Sequence, residues 1–223
     1  ADYDENGNVI AKTESVAGYA YRLLRKDKYA DDAELLTLLV DTLNYGAAMQ
    51  TYFEYDDTNL VNADLTDDEK ALATASRELT NESQRSSNKY FGTSFVMSSN
   101  ISMNMYVTAN SIGVDGYAKV TFYTKGVNDE ISVVSTYTIE DYTTVGRYAI
   151  FNLDDATELA EGKHALIPAK SDLYMALDFY DGADNKAVSV VDESIESYMA
   201  RWDSEHAAVV MQFMDGAKAY FAN

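Results

Sequence analysis

Apolar residues recur along this chain with two different periods, and the change of period divides it. Val16, Tyr19, Ala20, Leu23 and Leu24 fall on one face of a helix, the spacing of an amphipathic stripe. Lys26 to Asp32 break the pattern, which resumes from Ala33 through Leu35, Leu39, Leu43, Gly46, Met49 and Phe53. A helical hairpin is predicted. Gly46 inside its second helix costs about 1 kcal/mol relative to Ala, which close contact with another helix would offset. Thr66-Asp67-Asp68-Glu69 is a capping box, so a short helix is expected from there to about Leu79. The period then falls to two. Ile101, Met103, Met105 and Val107 alternate with polar residues, as do Ala118, Val120 and Phe122, and Leu173, Met175, Leu177 and Phe179. Further strands are expected at 90–97, 130–138, 147–153 and 186–191. At the end of the chain Val210, Phe213, Met214, Ala217 and Phe221 return to helical spacing.

The two helical regions are copies of one another. Glu14-Ser15-Val16-Ala17-Gly18-Tyr19 and Arg22 match Glu193-Ser194-Ile195-Glu196-Ser197-Tyr198 and Arg201, and Tyr45 with Tyr52-Phe53 matches Phe213 with Tyr220-Phe221. The later copy is shorter between its two parts. Before each copy stands a strand-turn-strand signal, built on Asn6-Gly7 in the first case and on Gly182 to Asn185 in the second. An internal repeat of this kind marks an array of like units. The expected organisation is a β-hairpin remnant and helical hairpin of a preceding unit over 1–65, a short helix with a β-sandwich over 66–191, and a second helical hairpin over 192–223. Short strands with turns between them and no crossover helices point to an antiparallel sandwich. The expected class is α+β: an antiparallel β-sandwich, Ig-like or jelly-roll-like, with a helical hairpin on each side.

Composition narrows the partners. With 47% apolar residues, 18 Tyr and 8 Phe, the chain carries enough apolar area for a substantial interior at ~25 cal/mol per Å2. Its 37 acidic against 17 basic residues give a formal charge of −20, which repels phosphate backbones and anionic lipid. Nucleic acid and direct membrane insertion are therefore not expected, and no apolar run approaches the roughly 18 residues of a spanning helix. Absence of cysteine removes disulfides, thiolate catalysis and zinc-thiolate sites.

Catalytic chemistry finds little support. His164 and His206 lie far apart with no His-x-x-x-His spacing, and neighbouring carboxylates such as Glu140-Asp141 and Asp154-Asp155 are ordinary in so acidic a chain. There is no Gly-x-Ser-x-Gly elbow, phosphate loop or dinucleotide fingerprint. Asp2-x-Asp4-x-Asn6-Gly7-Asn8 matches half of a calcium loop, but Thr13 stands where the last carboxylate belongs, and a plain Asn-Gly turn accounts for the same letters. A non-enzyme with no cofactor and no metal is expected. The candidate partner-binding residues are the basic cluster Arg22, Arg25, Lys26 and Lys28 at the first hairpin turn, and Tyr106, Tyr123 and Tyr174 on the polar phase of their strands, since Tyr supplies large contact area at low entropic cost.

The run Leu38-Leu39-Val40-Asp41-Thr42-Leu43-Asn44-Tyr45-Gly46-Ala47-Ala48-Met49-Gln50-Thr51-Tyr52-Phe53, followed by Asp57-Thr58-Asn59-Leu60-Val61-Asn62-Ala63, resembles a helical segment that recurs in large surface and secreted proteins of gut-dwelling anaerobic Gram-positive bacteria. The second copy departs from it, with Met214 in place of the glycine and no Asn-Leu-x-Asn tail. The resemblance implies extracellular display, secreted or attached to the cell wall, as a monomer within a multi-repeat chain. In general character the chain also looks like the superantigen-like immunoglobulin-binding proteins of gut commensals, which implies host immunoglobulin, gripped by the heavy-chain variable framework, as partner. A carbohydrate-binding module using strand-face tyrosines and a structural spacer remain the alternatives.

Overall fold

The computed structural model describes residues 2–3, 9–10, 15–55, 58–97, 101–166, 172–202 and 205–222. Strands β1 (Asp2–Tyr3) and β2 (Val9–Ile10) pair antiparallel, Asp2 opposite Ile10. The Asn6-Gly7 turn and the rest of the half calcium loop lie outside the described residues.

The first hairpin forms where its sequence signals place it. Helix α1 (Val16–Leu24) starts at Ser15, whose hydroxyl accepts the Gly18 amide at 2.9 Å. Helix α2 (Ala33–Tyr52) starts at Asp32, whose carboxylate accepts the Leu35 amide at 3.0 Å. Each cap satisfies an amide that the first helical turn leaves unpaired. Ala20, Leu24, Leu36, Leu39, Val40, Leu43 and Leu65 close a small core between the two helices and the segment after them. The Asn-Leu-x-Asn tail folds back onto α2: Gln50 Oε1 accepts the Val61 amide at 2.8 Å, and Asn62 donates to Asn44 Oδ1 at 3.0 Å. A Cβ on Gly46 would lie 2.8 Å from Val61 Cγ2. This glycine therefore makes room for the tail, not for a second helix.

Helix α3 (Asp67–Lys70) opens on the expected capping box, with the Thr66 hydroxyl and the Glu69 carboxylate exchanging backbone amides. It is one turn long and does not reach Leu79. Beyond it, distant side chains take the amides: Thr74 donates to Asp41 at 3.0 Å, Thr80 to Glu196 at 3.1 Å and Glu82 to the Ser197 hydroxyl at 3.0 Å. An amide held in this way cannot also close a helical turn.

Among the described residues the next nine strands make two antiparallel sheets. They are β3 (Gln84–Arg85), β4 (Tyr90–Met97), β5 (Ile101–Thr108), β6 (Tyr117–Lys125), β7 (Ile131–Ile139), β8 (Thr143–Val145), β9 (Tyr148–Asn152), β10 (Tyr174–Tyr180) and β11 (Lys186–Glu193). One sheet has the order β3-β11-β10-β6-β7 and the other β4-β5-β9-β8. The alternation read from the sequence sends Met103, Met105 and Val107 inward from one sheet, and Val120, Phe122, Leu177 and Phe179 inward from the other, into a single core. Phe151 and Phe179 meet there with centroids 5.6 Å apart. Strands β3 and β8 were not anticipated; they are two and three residues long and exposed throughout, so neither carries a period to read. The chain is thus α+β with two antiparallel sheets.

The helical hairpins do not stand one on each side. Helix α5 (Ile195–Arg201) buries Ile195 and Met199, and α6 (Glu205–Phe221) buries Ala207, Val210, Met211 and Met214, in the core shared by the sheets. Helix α2 then runs antiparallel along α6, with Tyr45 stacked on Phe213 at 4.9 Å and Tyr52 edge-on to Trp202 at 5.1 Å. Where they cross, Gly216 leaves space for the Asp41 carboxylate, which accepts the Thr74 amide at 3.0 Å and the Thr74 hydroxyl at 2.6 Å. Helix α6, which is anchored in the core of the sheets, thus carries α2 on its other side.

This crossing yields two expectations. Gly216→Ala pushes a methyl into the Asp41 carboxylate and should destabilise the fold by about 1–3 kcal/mol, although the same change in an open helix gains up to about 1 kcal/mol. Burial raises the Asp41 pKa, against the pull of the Thr74 hydrogen bonds. A raised carboxyl pKa means that the fold favours the neutral form, so the cost of this charge is absent at acid pH and grows as pH rises through the folded value. Asp41→Asn keeps the bond from the Thr74 amide and, with the Thr74 hydroxyl turned to accept from Nδ2, the second bond, without the charge, and should melt at or above the parent at pH 7. Asp41→Ala strands the Thr74 amide and should cost about 1–3 kcal/mol. Equal losses for the Asn and Ala variants in denaturant titrations at pH 7 would contradict this account.

Candidate functional site

The basic cluster at the first hairpin turn is divided by its contacts. Arg25 is committed to the fold: its guanidinium binds both Glu69 carboxylate oxygens, at 2.8 and 3.1 Å, donates to the Asp64 carbonyl at 2.7 Å and lies over the Tyr21 ring at 4.7 Å. It clips the end of α1 to the start of α3 and offers little to a partner. Arg22 lies over Tyr19 at 5.1 Å, while Lys26 and Lys28 flank the Tyr29 ring at 5.8 and 5.2 Å. These three remain on the exposed surface.

The three tyrosines do not share a face. Tyr106 is on β5 in the four-stranded sheet, half-buried, with its hydroxyl 3.0 Å from that of Ser94. Tyr123 and Tyr174 are cross-strand partners in the other sheet, with rings 5.8 Å apart. The extra residue of the bulge between β6 and β7 is Val134 of β7, so β6 keeps its alternation and Tyr123 stays on the same face as Tyr174; its neighbours there leave it only 3% exposed. Its hydroxyl donates to Asp192 Oδ1 at 2.6 Å and accepts the Asp192 amide at 2.9 Å. Burial, with the bond to Asp192, pushes its pKa up to about 12. Tyr123 is therefore a structural strut. Further along the same strands Tyr117 stacks on Tyr180 at 4.8 Å, with Lys119 5.5 Å from each ring.

A surface that the sequence reading passed over is the edge made by β7. Among the described residues this strand pairs with β6 alone. Ile131, Val133 and Val134 are 60%, 63% and 51% exposed, and Val127 in the preceding turn is exposed as well. Near its far end the backbone is covered, where Thr138 donates to Glu158 at 2.7 Å and accepts the Thr157 amide at 2.9 Å. Ile131 to Ile139 contains no charged residue, proline or glycine. Natural edges are guarded by charge, proline or a bulge; β7 has the bulge at Val134 but no charge, and the uncharged run between Glu130 and Glu140 was a signal available in the sequence.

His164 lies 3.1 Å from Asp154, and His206 packs on Tyr52 and Trp202. Among the described residues no three His, Cys, Asp or Glu side chains group to hold a metal ion, and no helix is long and apolar enough to cross a membrane. No protein-family model matches the chain, and neither does any curated protein or solved structure.

The structural role of Arg25 has a pH signature. Its hydrogen bonds, with the Thr66 amide, hold the Glu69 pKa down from 4.5 to about 2. For a depressed carboxyl pKa the stabilisation is present above the unfolded value and is lost as pH falls through the folded one. Thermal melts should therefore place Arg25→Met below the parent at pH 7, with the gap closing between about pH 4.5 and about pH 2. A gap that does not change with pH would assign Arg25 no electrostatic role.

Proposed function

We propose that the two sheets form an immunoglobulin-type β-sandwich, and that this chain is a non-catalytic binding module of a bacterial surface protein. The strand order supports the first part. Lettered from β4, the four-stranded sheet runs A-B-E-D, and β11-β10-β6-β7 runs G-F-C with one further strand after C, the arrangement of that fold. β3 adds a short strand outside G.

The second part is carried by the open edge of β7. An exposed, uncharged, β-branched edge pairs with another strand when one is offered, and strand addition joins main-chain hydrogen bonds to pockets for alternate side chains. The partner is a host protein that presents an edge strand of its own. Immunoglobulin, which the resemblance implies, meets that requirement: variable domains are sandwiches whose framework edges lie apart from the loops that read antigen. Capture through such an edge is independent of antigen. The unit acts outside the cell, as one monomeric module in a chain of repeats.

Surface plasmon resonance of the full chain against antibodies from several heavy-chain families tests this reading. Binding is expected for at least one family whatever its antigen, and should weaken at least tenfold for the double variant Val133→Lys, Val134→Lys. Both sites are on the surface, so stability should move by no more than about 0.5 kcal/mol. Silence across the panel removes immunoglobulin as partner, and binding that the double variant leaves intact removes the edge.

A further inference from the structure

A second site lies away from β7, between the end of β3, the start of β4 and the end of α5. It is a cavity of about 240 Å3 walled by Phe91, Tyr198 and Trp202, with Arg85, Arg201 and Thr93 as its polar groups. Its seventh lining residue is Gly92, which has φ +147°, and a Cβ built there meets no atom within 4 Å. The glycine belongs to the irregularity between Tyr90 and Gly92 in the pairing of β4 with β5, and it leaves the backbone open to the cavity.

The two guanidiniums are held differently. Arg201 is fixed from behind, with Nη1 donating to Asn81 Oδ1 at 3.0 Å and Nη2 to Glu193 Oε1 at 2.8 Å. Glu193 is 0% exposed and also accepts the Ser83 hydroxyl at 3.0 Å. Its carboxylate neutralises Arg201 and sets the plane of the guanidinium. Arg85 is exposed and lies 5.2 Å from the Tyr90 ring, and no carboxylate among the described residues forms an ion pair with it. Arg147 places a further positive charge 4.9 Å from the Phe91 ring. On a chain of formal charge −20, this is a local excess of cations around an aromatic slot.

We propose that this cavity binds a carboxylated pyranose, a single acidic sugar ring such as a uronic or sialic acid residue. The C–H face of a pyranose packs on aromatic rings, and its hydroxyls suit Thr93 and the open backbone at Gly92. Its carboxylate matches the planar fork of a guanidinium, which binds two oxygens at once. A bare inorganic anion leaves the three aromatic walls unused, and a neutral sugar leaves Arg85 unanswered. The occupant thus has both a ring and a carboxylate. The site does not rest on the β7 edge, and either can fail alone.

Trp202 is the only tryptophan of the chain, so its fluorescence reports occupancy directly. The full chain is titrated with the methyl α-glycoside of N-acetylneuraminic acid, with methyl β-glucuronide, with methyl glucoside and with inorganic phosphate. Saturable change with at least one of the two acids, at a Kd of about 1 mM or tighter, is the expected result, and which acid it is separates the two sources of the carboxylate. Methyl glucoside and phosphate should bind at least tenfold more weakly. Arg85→Gln removes an exposed group and should weaken the acid at least tenfold, while the Val133→Lys, Val134→Lys variant should bind it normally. No saturable change with either acid, equal response to the neutral sugar or to phosphate, or unaltered binding by Arg85→Gln would each overturn the assignment.

Discussion

Where α2 crosses α6, the missing side chain of Gly216 lets one buried carboxylate serve three segments. Asp41 comes from the first helical hairpin, Gly216 from the second, and Thr74, which donates twice to Asp41, from the stretch that leads into the sheets. α6 is already seated in the common core through Val210, Met211 and Met214, so whatever is tied to it is tied to the sheets. Arg77 reinforces the same joint, reaching Asp215 of α6 and Glu196 of α5, each at 2.8 Å. The course of residues 74–83 follows from these bonds. The start of β3 and the position of Arg85 beside the aromatic slot follow in turn from that course.

The internal repeat takes on a physical meaning at this joint. Tyr45 and Phe213 occupy the same place in the two copies, and they are the residues that stack on one another. Contact between equivalent residues is what a two-fold axis produces, and here the two halves belong to one chain. The ends of the pair are unlike. At one, Tyr52 meets Trp202 and His206 edge-on and is still 45% exposed; at the other, its counterpart Tyr220 borders, with Phe221, Asp32 and Glu34, an open cavity of about 430 Å3.

Much of the fold was legible because it is local. Alternation at Met103, Met105 and Val107, the caps at Ser15 and Asp32 and the box at Thr66 each depend on residues a few positions apart. What failed to show was set by distance along the chain. Gly46 and Gly216 look alike as mid-helix glycines, and only packing tells that the first admits Val61 and the second admits a helix. Tyr123 keeps the outward phase that the alternation gives it, and it is buried because Tyr174 and Asp192 close over it, contacts made across strands that no periodicity records. Arg25 looked like a free cation because its partner Glu69 is read as half of a capping box; it is both. For the β7 edge the uncharged run was visible, but whether a strand lies at the rim of a sheet is a property of strand order. The slot around Trp202 draws on β3, β4 and α5, which no spacing rule connects.

The uncovered first part of the β7 edge raises the question of what keeps two copies of this chain from pairing with each other through it. No charged side chain on the strand does so. The deterrent is the whole surface: two bodies of formal charge −20 must approach within a strand spacing of about 5 Å before their edges can bond, well inside the ~8 Å Debye length of physiological salt. Long-range repulsion thus acts as a colloidal guard beside the local one that the bulge at Val134 supplies. In about 1 M salt screening shortens to ~3 Å, and that repulsion no longer reaches across the gap between two such edges.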